Sequence, residues 1–307
     1  MGGELNRTTT ANLFMLFLLA YNIALAILFS YLHWDVLRDT AHAELLMSPW
    51  FRFVIQVLGL ILPLLIFAQV TNTKSEVIGP LQRHGFSLAN GILIAAISIF
   101  LQPLMMLISA FTSLFIPNPV SEAMTEIVAM PIPLALLLVA VTPAICEEIV
   151  FRGYIQSAYR EQPIFIMALV NGIFFGIIHL NMHQFSYALI MGIIFAYMVY
   201  ITKSIYAAML SHFIINGMQV LLGYFILGQE VAAGEYASEP YIWEAISMLL
   251  VINLFTAPVL VFLFRILRDR NTESKTDENK EEAVKHPFDG FFFAVIILFG
   301  IFMLALL

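Results

Sequence analysis

Two adjacent carboxylates and an arginine lie inside an apolar stretch of this chain. Glu147, Glu148 and Arg152 fall within residues 132–155, and about 20 apolar residues are enough to cross a membrane as a helix. A charged side chain near the centre of such a helix costs roughly 2.5–3.5 kcal/mol on insertion scales. Three of them are therefore expected either to pair with one another or to perform chemistry.

The spacing of these groups predicts that one carboxylate is neutralised and the other is left over. Glu148 and Arg152 are four residues apart with the acid first, which is the favourable order for a helical ion pair. Glu147 is rotated by about 100° from Glu148 and cannot share that contact equally. Pro143 removes the backbone hydrogen bond to the Val139 carbonyl, which predicts a bend here. A purely structural ion pair is the alternative, but it leaves Glu147 unexplained.

A histidine and a histidine–asparagine pair in later apolar segments could complete a hydrolytic site. His179 lies near the end of one segment, and His212 and Asn216 lie one helical turn apart in another. A carboxylate and a histidine together can activate a water molecule. Two donors on one helix face could stabilise the negative charge that develops on a carbonyl oxygen. Taken alone, His212 and Asn216 fit ordinary helix–helix hydrogen bonding equally well.

Other polar residues of these segments receive simpler interpretations. Asn171 is expected to hydrogen-bond across helices. His183 follows His179 at a spacing that could bind a metal, but this part of the chain is predicted to be a loop. The thiol of Cys146 has no feature that marks it as activated, so it is interpreted as a small buried side chain. The absence of an HExxH motif excludes the common zinc-protease arrangement.

The composition is that of an integral membrane protein. The 307 residues are 61% hydrophobic and 11% charged, with a mean hydropathy of +0.91, whereas soluble domains carry about 25% charged residues. A single cysteine excludes an intramolecular disulfide and a zinc site built from cysteines. The net charge of −7 and the lack of a basic patch give no indication of a nucleic-acid partner.

Hydropathy predicts an all-α fold, a polytopic transmembrane helix bundle of about eight to nine helices that forms one membrane domain over residues 1–307. The third span carries Pro103 and is expected to be kinked, and the fifth, sixth and ninth spans are short. The nine candidate spans are Leu13–His33, Phe53–Val70, Leu88–Ile116, Ile132–Ile155, Ile164–Leu180, Phe185–Ile201, Ile205–Leu227, Ile242–Leu267 and Phe291–Leu307.

Basic residues are concentrated in every second loop, for example at Arg160 and Lys203. The positive-inside rule then places the N-terminus in the cytoplasm and the C-terminus outside a cell membrane. The segment 34–52 departs from this pattern because it carries two arginines. Residues 270–286 form a polar stretch that is expected to be a solvated cytoplasmic loop. Compact spans with short loops favour a prokaryotic source.

Taken together, the polar residues resemble the motifs of the CPBP intramembrane endopeptidases. That family includes the CAAX-prenyl endopeptidases and the bacterial Abi proteins linked to bacteriocin processing or self-immunity. The resemblance covers residues 132–217, which would be the catalytic core. The motifs that carry it are Glu147-Glu148-x-x-x-Arg152, Phe175-x-x-x-His179 and His212-x-x-x-Asn216.

The resemblance implies a helical membrane protease with its active site inside the bilayer. Its substrate would be a membrane-associated peptide or protein, prenylated or not, and membrane lipid would surround it. The sequence leaves metal dependence open, because two histidines and two glutamates could also hold a divalent metal such as zinc. The implied roles are water activation for Glu147 and His179, oxyanion donation for His212 and Asn216, and support for Glu148 and Arg152.

Two other classes of function remain open at this point. Buried acidic and basic groups could line the ion or proton path of a transporter, although no internal repeat of the kind common in transporters is visible in the sequence. The chain could also be a non-catalytic immunity or scaffold protein that keeps the fold. Loss of cleavage on replacing Glu147 would separate a protease from both.

Overall fold

All the regular secondary structure of the described residues is helical. A computed structural model describes residues 6–32, 48–73, 86–233, 242–272 and 287–306. Within these ranges the chain forms ten helices and no strands. The predicted all-α fold class is therefore confirmed.

We number the helices α1 to α10 in chain order. They are α1 Arg7–Tyr31, α2 Pro49–Val70, α3 Leu88–Ser113, α4 Pro119–Val128, α5 Ile132–Ala158, α6 Ile164–Ile177, α7 Met182–Thr202, α8 Ile205–Ala233, α9 Ile242–Thr272 and α10 Gly290–Ala305.

Nine of these helices correspond to the nine predicted spans, and the chain is a multi-pass membrane protein. Seven helices are long and apolar enough to cross a membrane, and α6 and α10 are shorter apolar helices. The prediction of a short sixth span was wrong, because α7 has 21 residues. Helix α4 was not predicted at all, since its ten residues mix charged and apolar side chains. The predicted loop over 270–286 lies largely outside the described residues.

Contacts between residues far apart in the sequence show which helix ends lie together at one end of the bundle. Asn90 near the start of α3 bonds Asn271 at the end of α9, 3.0 Å apart. Asn12 of α1 donates to the carbonyl of Pro287 just before α10, also at 3.0 Å. Arg7 pairs with Glu161, which precedes α6. We call this the basic end; it carries the described cations Arg7, Arg160, Lys203, Arg268 and Arg270. Its assignment to the cytoplasmic side remains a prediction.

Helices α6 and α7 pack against each other through glycines. A Cβ atom on Gly192 would lie 2.6 Å from the Cα of Gly172, and one on Gly172 would lie 2.6 Å from the carbonyl oxygen of Leu189. Small residues allow two membrane helices to approach closely and gain dispersion contacts. Gly176, one turn beyond Gly172, meets the ring of Phe185 in the same way. The glycines thus hold His179, which follows α6, against α7.

Substituting Gly192 by alanine is expected to destabilise the protein by about 1–3 kcal/mol, the usual range for overpacking. The new methyl group would meet backbone atoms of α6, which cannot rotate away. The measurement is thermal unfolding of the purified protein in detergent. Gly300→Ala is the matched control, because a Cβ there has no neighbour within 4 Å. Equal unfolding temperatures for the two variants would contradict the close packing.

Candidate active site

Helix α5, which carries both carboxylates, is interrupted by two wide π-helical turns. Leu137–Val141 and Ile149–Ile155 are π-helical, and the α-helical segment Thr142–Glu148 lies between them. Such turns occur frequently at functional sites because they change which side chains share a face. The helix changes from π-helical to α-helical immediately before Pro143; the bend there stays a prediction.

The backbone carbonyl of Val139 accepts a hydrogen bond from another helix. Pro143 has no N–H to offer to the oxygen of Val139. The side-chain amide of Asn216 on α8 donates to this oxygen at 2.9 Å. This bond supplies a donor where Pro143 has none, and it fixes α8 to α5 one turn beyond His212.

Glu148 is the centre of the buried polar cluster. Its Oε1 accepts a hydrogen bond from Nη1 of Arg152 at 2.9 Å and lies 2.8 Å from Nδ1 of His212. All three side chains are almost completely buried, between 0 and 3% exposed. The predicted ion pair between Glu148 and Arg152 is confirmed. Its second partner, His212, was not predicted, because sixty-four positions separate it from Glu148.

The guanidinium of Arg152 is enclosed by aromatic rings and a backbone carbonyl. Its central carbon lies 4.4 Å from the ring centre of Phe175 and 5.2 Å from that of Phe195. Nη2 donates to the carbonyl of Gly192 at 3.2 Å. Cation–π contacts are strongest where the cation is desolvated, so these rings compensate part of the cost of burying the charge. The close approach at Gly192 brings its carbonyl to the arginine.

Glu147 is half-buried and remains without a hydrogen-bond partner for its Oε2 atom. It is close enough to Arg152 and to Tyr187 of α7 to interact electrostatically with both. A buried carboxylate oxygen without a partner is costly, and such groups are concentrated at functional sites. The structure thus separates the two carboxylates as the sequence indicated, with Glu148 in the ion pair and Glu147 available.

His179 lies in the tight turn between α6 and α7 rather than inside a helix. Its Nδ1 is 2.7 Å from the carbonyl oxygen of Phe175. A carbonyl only accepts, so Nδ1 must carry the proton and Nε2 is the nitrogen that remains available. Leu180 closes the turn in the left-handed region, with φ of 51°, and the side chain of Asn181 caps α7.

His212 is oriented by the same principle. Its Nδ1 lies 2.8 Å from Oε1 of Glu148, the same atom that accepts from Arg152, so the Nδ1–H donates to this carboxylate and Nε2 remains available. The ring of Phe175 lies 5.2 Å from His179 and 5.8 Å from His212, centre to centre. One aromatic side chain thus separates the two histidines and contacts both. No hydrogen bond joins Glu147 to His179 within the described ranges.

Two predictions about neighbouring polar residues were wrong. Asn171 does not bond across helices; its amide donates to the Met167 carbonyl of its own helix at 2.9 Å. His183 lies in α7 and not in a loop. Its Nε2 is 2.9 Å from the hydroxyl of Ser113 on α3, because the turn at Leu180 starts α7 earlier than hydropathy indicated.

The side chains do not form a metal site. In the parts of the chain that the structure describes, no group of three or more His, Cys, Asp or Glu side chains could hold a metal ion. A catalytic zinc needs three protein ligands. His183, which the spacing had offered as a second ligand beside His179, is engaged with α3. The donor set of the described residues therefore does not fit a catalytic zinc. Cys146 is a buried free thiol.

Three further features of the site were not singled out from the sequence. Tyr187 lies near Glu147, Phe195 covers Arg152, and the Gly192 carbonyl accepts from that arginine. For Tyr187 the sequence offered one signal, its position four residues after His183 on the same helix. Their ring centres lie 6.2 Å apart in the structure. Phe195 and Gly192 are typical of any apolar helix.

The core that contains this cluster matches a known family. Residues 129–218 match the model described as "Rce1-like: Type II CAAX prenyl endopeptidase Rce1-like". The match includes the motif segments of α5, α6 and α8 and the helix α7 between them. The resemblance to the CPBP family is confirmed over this core.

A curated relative supports the same assignment. The chain is 27% identical over 103 residues to the "Putative membrane peptidase YdiL" of Bacillus subtilis (strain 168). This alignment covers 33% of the chain and 42% of the relative, so the chain spans less than half of that protein's length. No solved structure matches the chain.

Proposed function

We propose that this protein is an intramembrane endopeptidase that hydrolyses a peptide bond with a water molecule activated by Glu147 and His179. The observation that supports the proposal is the difference in hydrogen bonding between the two carboxylates. Glu148 is hydrogen-bonded to Arg152 and His212, whereas Glu147 has a buried oxygen with no hydrogen-bond partner. A structural ion pair or a scaffold has no use for that second carboxylate.

The first step would be attack of water on the peptide carbonyl. Glu147 accepts a proton from the water, and Nε2 of His179 accepts a hydrogen bond from the second water hydrogen. The oxygen attacks the carbonyl carbon and gives a tetrahedral intermediate. The gap between Glu147 and His179 is the place where the water would lie.

The negative charge on the carbonyl oxygen would be held by donors of α8. To donate from Nε2 as well as from Nδ1, His212 would have to carry both ring protons, and its positive charge would then face the negative carbonyl oxygen. Asn216 has a second amide hydrogen beyond the one given to Val139. Collapse of the intermediate breaks the carbon–nitrogen bond, and Glu147 returns its proton to the leaving amine.

The family and the relative support a peptide substrate that is presented in the membrane. The candidates are a CAAX-type peptide, prenylated or not, and a bacteriocin-leader-type peptide. The positive-inside rule places the basic end in the cytoplasm of a prokaryotic cell. The transporter alternative receives no support from the comparisons, and the immunity or scaffold alternative predicts no cleavage at all.

The test is peptide cleavage by the purified full chain in detergent, comparing wild type with His179→Asn. Asparagine keeps a donor where Nδ1 bonds the carbonyl of Phe175 but removes Nε2. We expect cleavage to fall by about 10²–10⁴-fold, the usual contribution of such a group, with no change in unfolding temperature. Cleavage by wild type should persist in the presence of a chelator.

The matched control is His183→Gln, which replaces the neighbouring histidine by a side chain that can still donate to Ser113. This variant should cleave at the wild-type rate. If His179→Asn also retains full activity, or if His183→Gln loses as much, the role of His179 is wrong. If wild type cleaves none of the prenylated and leader-type peptides, the endopeptidase proposal itself fails for these substrates.

A further inference from the structure

A small cavity lies at the basic end, next to Arg152 and the last turn of α5. Its volume is about 90 Å³, well above the roughly 10–15 Å³ that one water molecule needs by the same measure. It can therefore hold a group of several polar atoms. Its lining residues are Arg152, Gln156, Ser157, Arg160, Met167, Val199, Tyr200, Lys203 and Ile205.

Two buried side chains at the inner wall of this cavity have polar atoms without partners. Arg152 is 2% exposed and its Nε–H has no acceptor; Gln156 is 5% exposed and its Oε1 has no donor. The amide nitrogen of Gln156 is already held by the carbonyl of Ala196 at 3.0 Å, so the amide cannot rotate to change this. A ligand that satisfies both must present an acceptor oxygen and a hydroxyl donor.

The mouth of the cavity is positively charged. Arg160 and Lys203 are exposed at its edge, and Ser204 beside it has a buried hydroxyl without a partner. Helix α8 begins at the next residue, and the N-terminal ends of helices favour anions. No carboxylate is found among the lining residues within the described ranges. Glu161 lies outside the lining, where it pairs with Arg7 at 3.3 Å and, at 3.8 Å, with Nε of Arg160, whose other guanidinium nitrogens are not part of that pair.

We propose that this cavity binds the phosphate of an anionic phospholipid headgroup that also carries a hydroxyl, as phosphatidylglycerol does. The phosphate oxygens accept from Arg152, Arg160 and Lys203, and a headgroup hydroxyl donates to Gln156. The position fits a lipid because α5 and α7 end here and α6 and α8 begin here, at the level of the membrane surface. Basic pockets between membrane helices are the usual binding sites for acidic headgroups.

This site is independent of the proposed peptidase activity. It assigns a ligand to groups that the hydrolytic mechanism does not use, namely Gln156, Arg160 and Lys203. Arg152 connects the two regions, because its Nη1 donates to Glu148 while its Nε–H has no hydrogen-bond acceptor.

The experiment measures lipid binding to the purified full chain by native mass spectrometry and by the shift in unfolding temperature. The probes are phosphatidylglycerol, phosphatidylcholine, and inorganic phosphate at constant ionic strength. The site variant is Arg160→Gln/Lys203→Asn, in which asparagine tolerates the left-handed backbone of residue 203, whose φ is 56°. The control is Arg268→Gln/Arg270→Gln, which removes two exposed cations of the same end that do not line the cavity.

We expect phosphatidylglycerol to bind and stabilise the wild type, phosphatidylcholine to do so at least tenfold more weakly, and the site variant to lose this preference. The control variant should keep it. Equal binding of the two lipids, or equal loss in the control, would overturn the proposal. Protection by inorganic phosphate without a preference for phosphatidylglycerol would overturn the lipid as the source and assign the site to free phosphate.

Discussion

Replacing Glu147 by glutamine is expected to reduce peptide cleavage by about 10²–10⁴-fold, the usual contribution of a general base. Glutamine has the same shape but cannot accept a proton. Since the Oε2 atom of Glu147 makes no hydrogen bond in the structure, the fold should not depend on the charge. We therefore expect the unfolding temperature of the variant to remain at or above that of the wild type. The measurement is initial rates together with thermal unfolding on the same preparations.

Glu244→Gln serves as the matched control for this prediction. Glu244 is an exposed carboxylate in the first turn of α9, so the substitution removes one negative charge without touching the site. Its cleavage rate should equal that of the wild type. If Glu147→Gln cleaves as fast as Glu244→Gln, another group activates the water. If it instead unfolds early, Glu147 is a structural residue.

The opposite result is expected at the neighbouring position. Substituting Glu148 by alanine should cost about 3–5 kcal/mol of stability, the usual cost of breaking a buried ion pair. The change leaves Arg152 charged and buried without its carboxylate, and it leaves the Nδ1–H of His212 without an acceptor. Loss of cleavage follows from loss of the fold. The measurement is unfolding in detergent with increasing denaturant.

A double substitution separates stability from positioning in this cluster. In Glu148→Leu/Arg152→Met both charges are removed together, and apolar replacement of a buried ion pair is often neutral or stabilising. We expect the double variant to recover most of the stability that Glu148→Ala loses. Cleavage should stay low, because His212 still lacks the carboxylate that orients its ring. A double variant with recovered activity would show that Glu148 has only a structural role, and unchanged stability in Glu148→Ala would contradict the ion pair.

Several features of the site followed from local sequence because local geometry fixes them. The pairing of Glu148 with Arg152 needs only a helix and a spacing of four residues. The missing N–H donor opposite the Val139 carbonyl follows from Pro143 alone. Segment length and hydropathy similarly determined the number of apolar helices, because the bilayer imposes a nearly constant span. Helix α4 was missed because this rule applies only to long apolar segments.

The errors came from positions where the outcome depends on a partner far along the chain. Asn171 hydrogen-bonds to its own helix, and His183 hydrogen-bonds to α3. The residues next to them in the sequence do not specify either partner. The length of α6, only 14 residues, was overestimated because apolar residues continue into the turn that contains His179. Hydropathy measures burial in the membrane and does not detect where the helix ends.

The sequence by itself determined that this is a helical membrane protein, which carboxylate pairs with Arg152, and which family its motifs resemble. Those properties depend on composition and on spacing within one helix. Only the tertiary structure decided that His212 binds Glu148, that Asn216 supports the interrupted helix, and that a cavity with basic residues at its edge lies next to Arg152. These features depend on the packing of α5 to α8. Within that packing, α6 and α7 approach closely at Gly172 and Gly192, and no pattern within one segment specifies this approach.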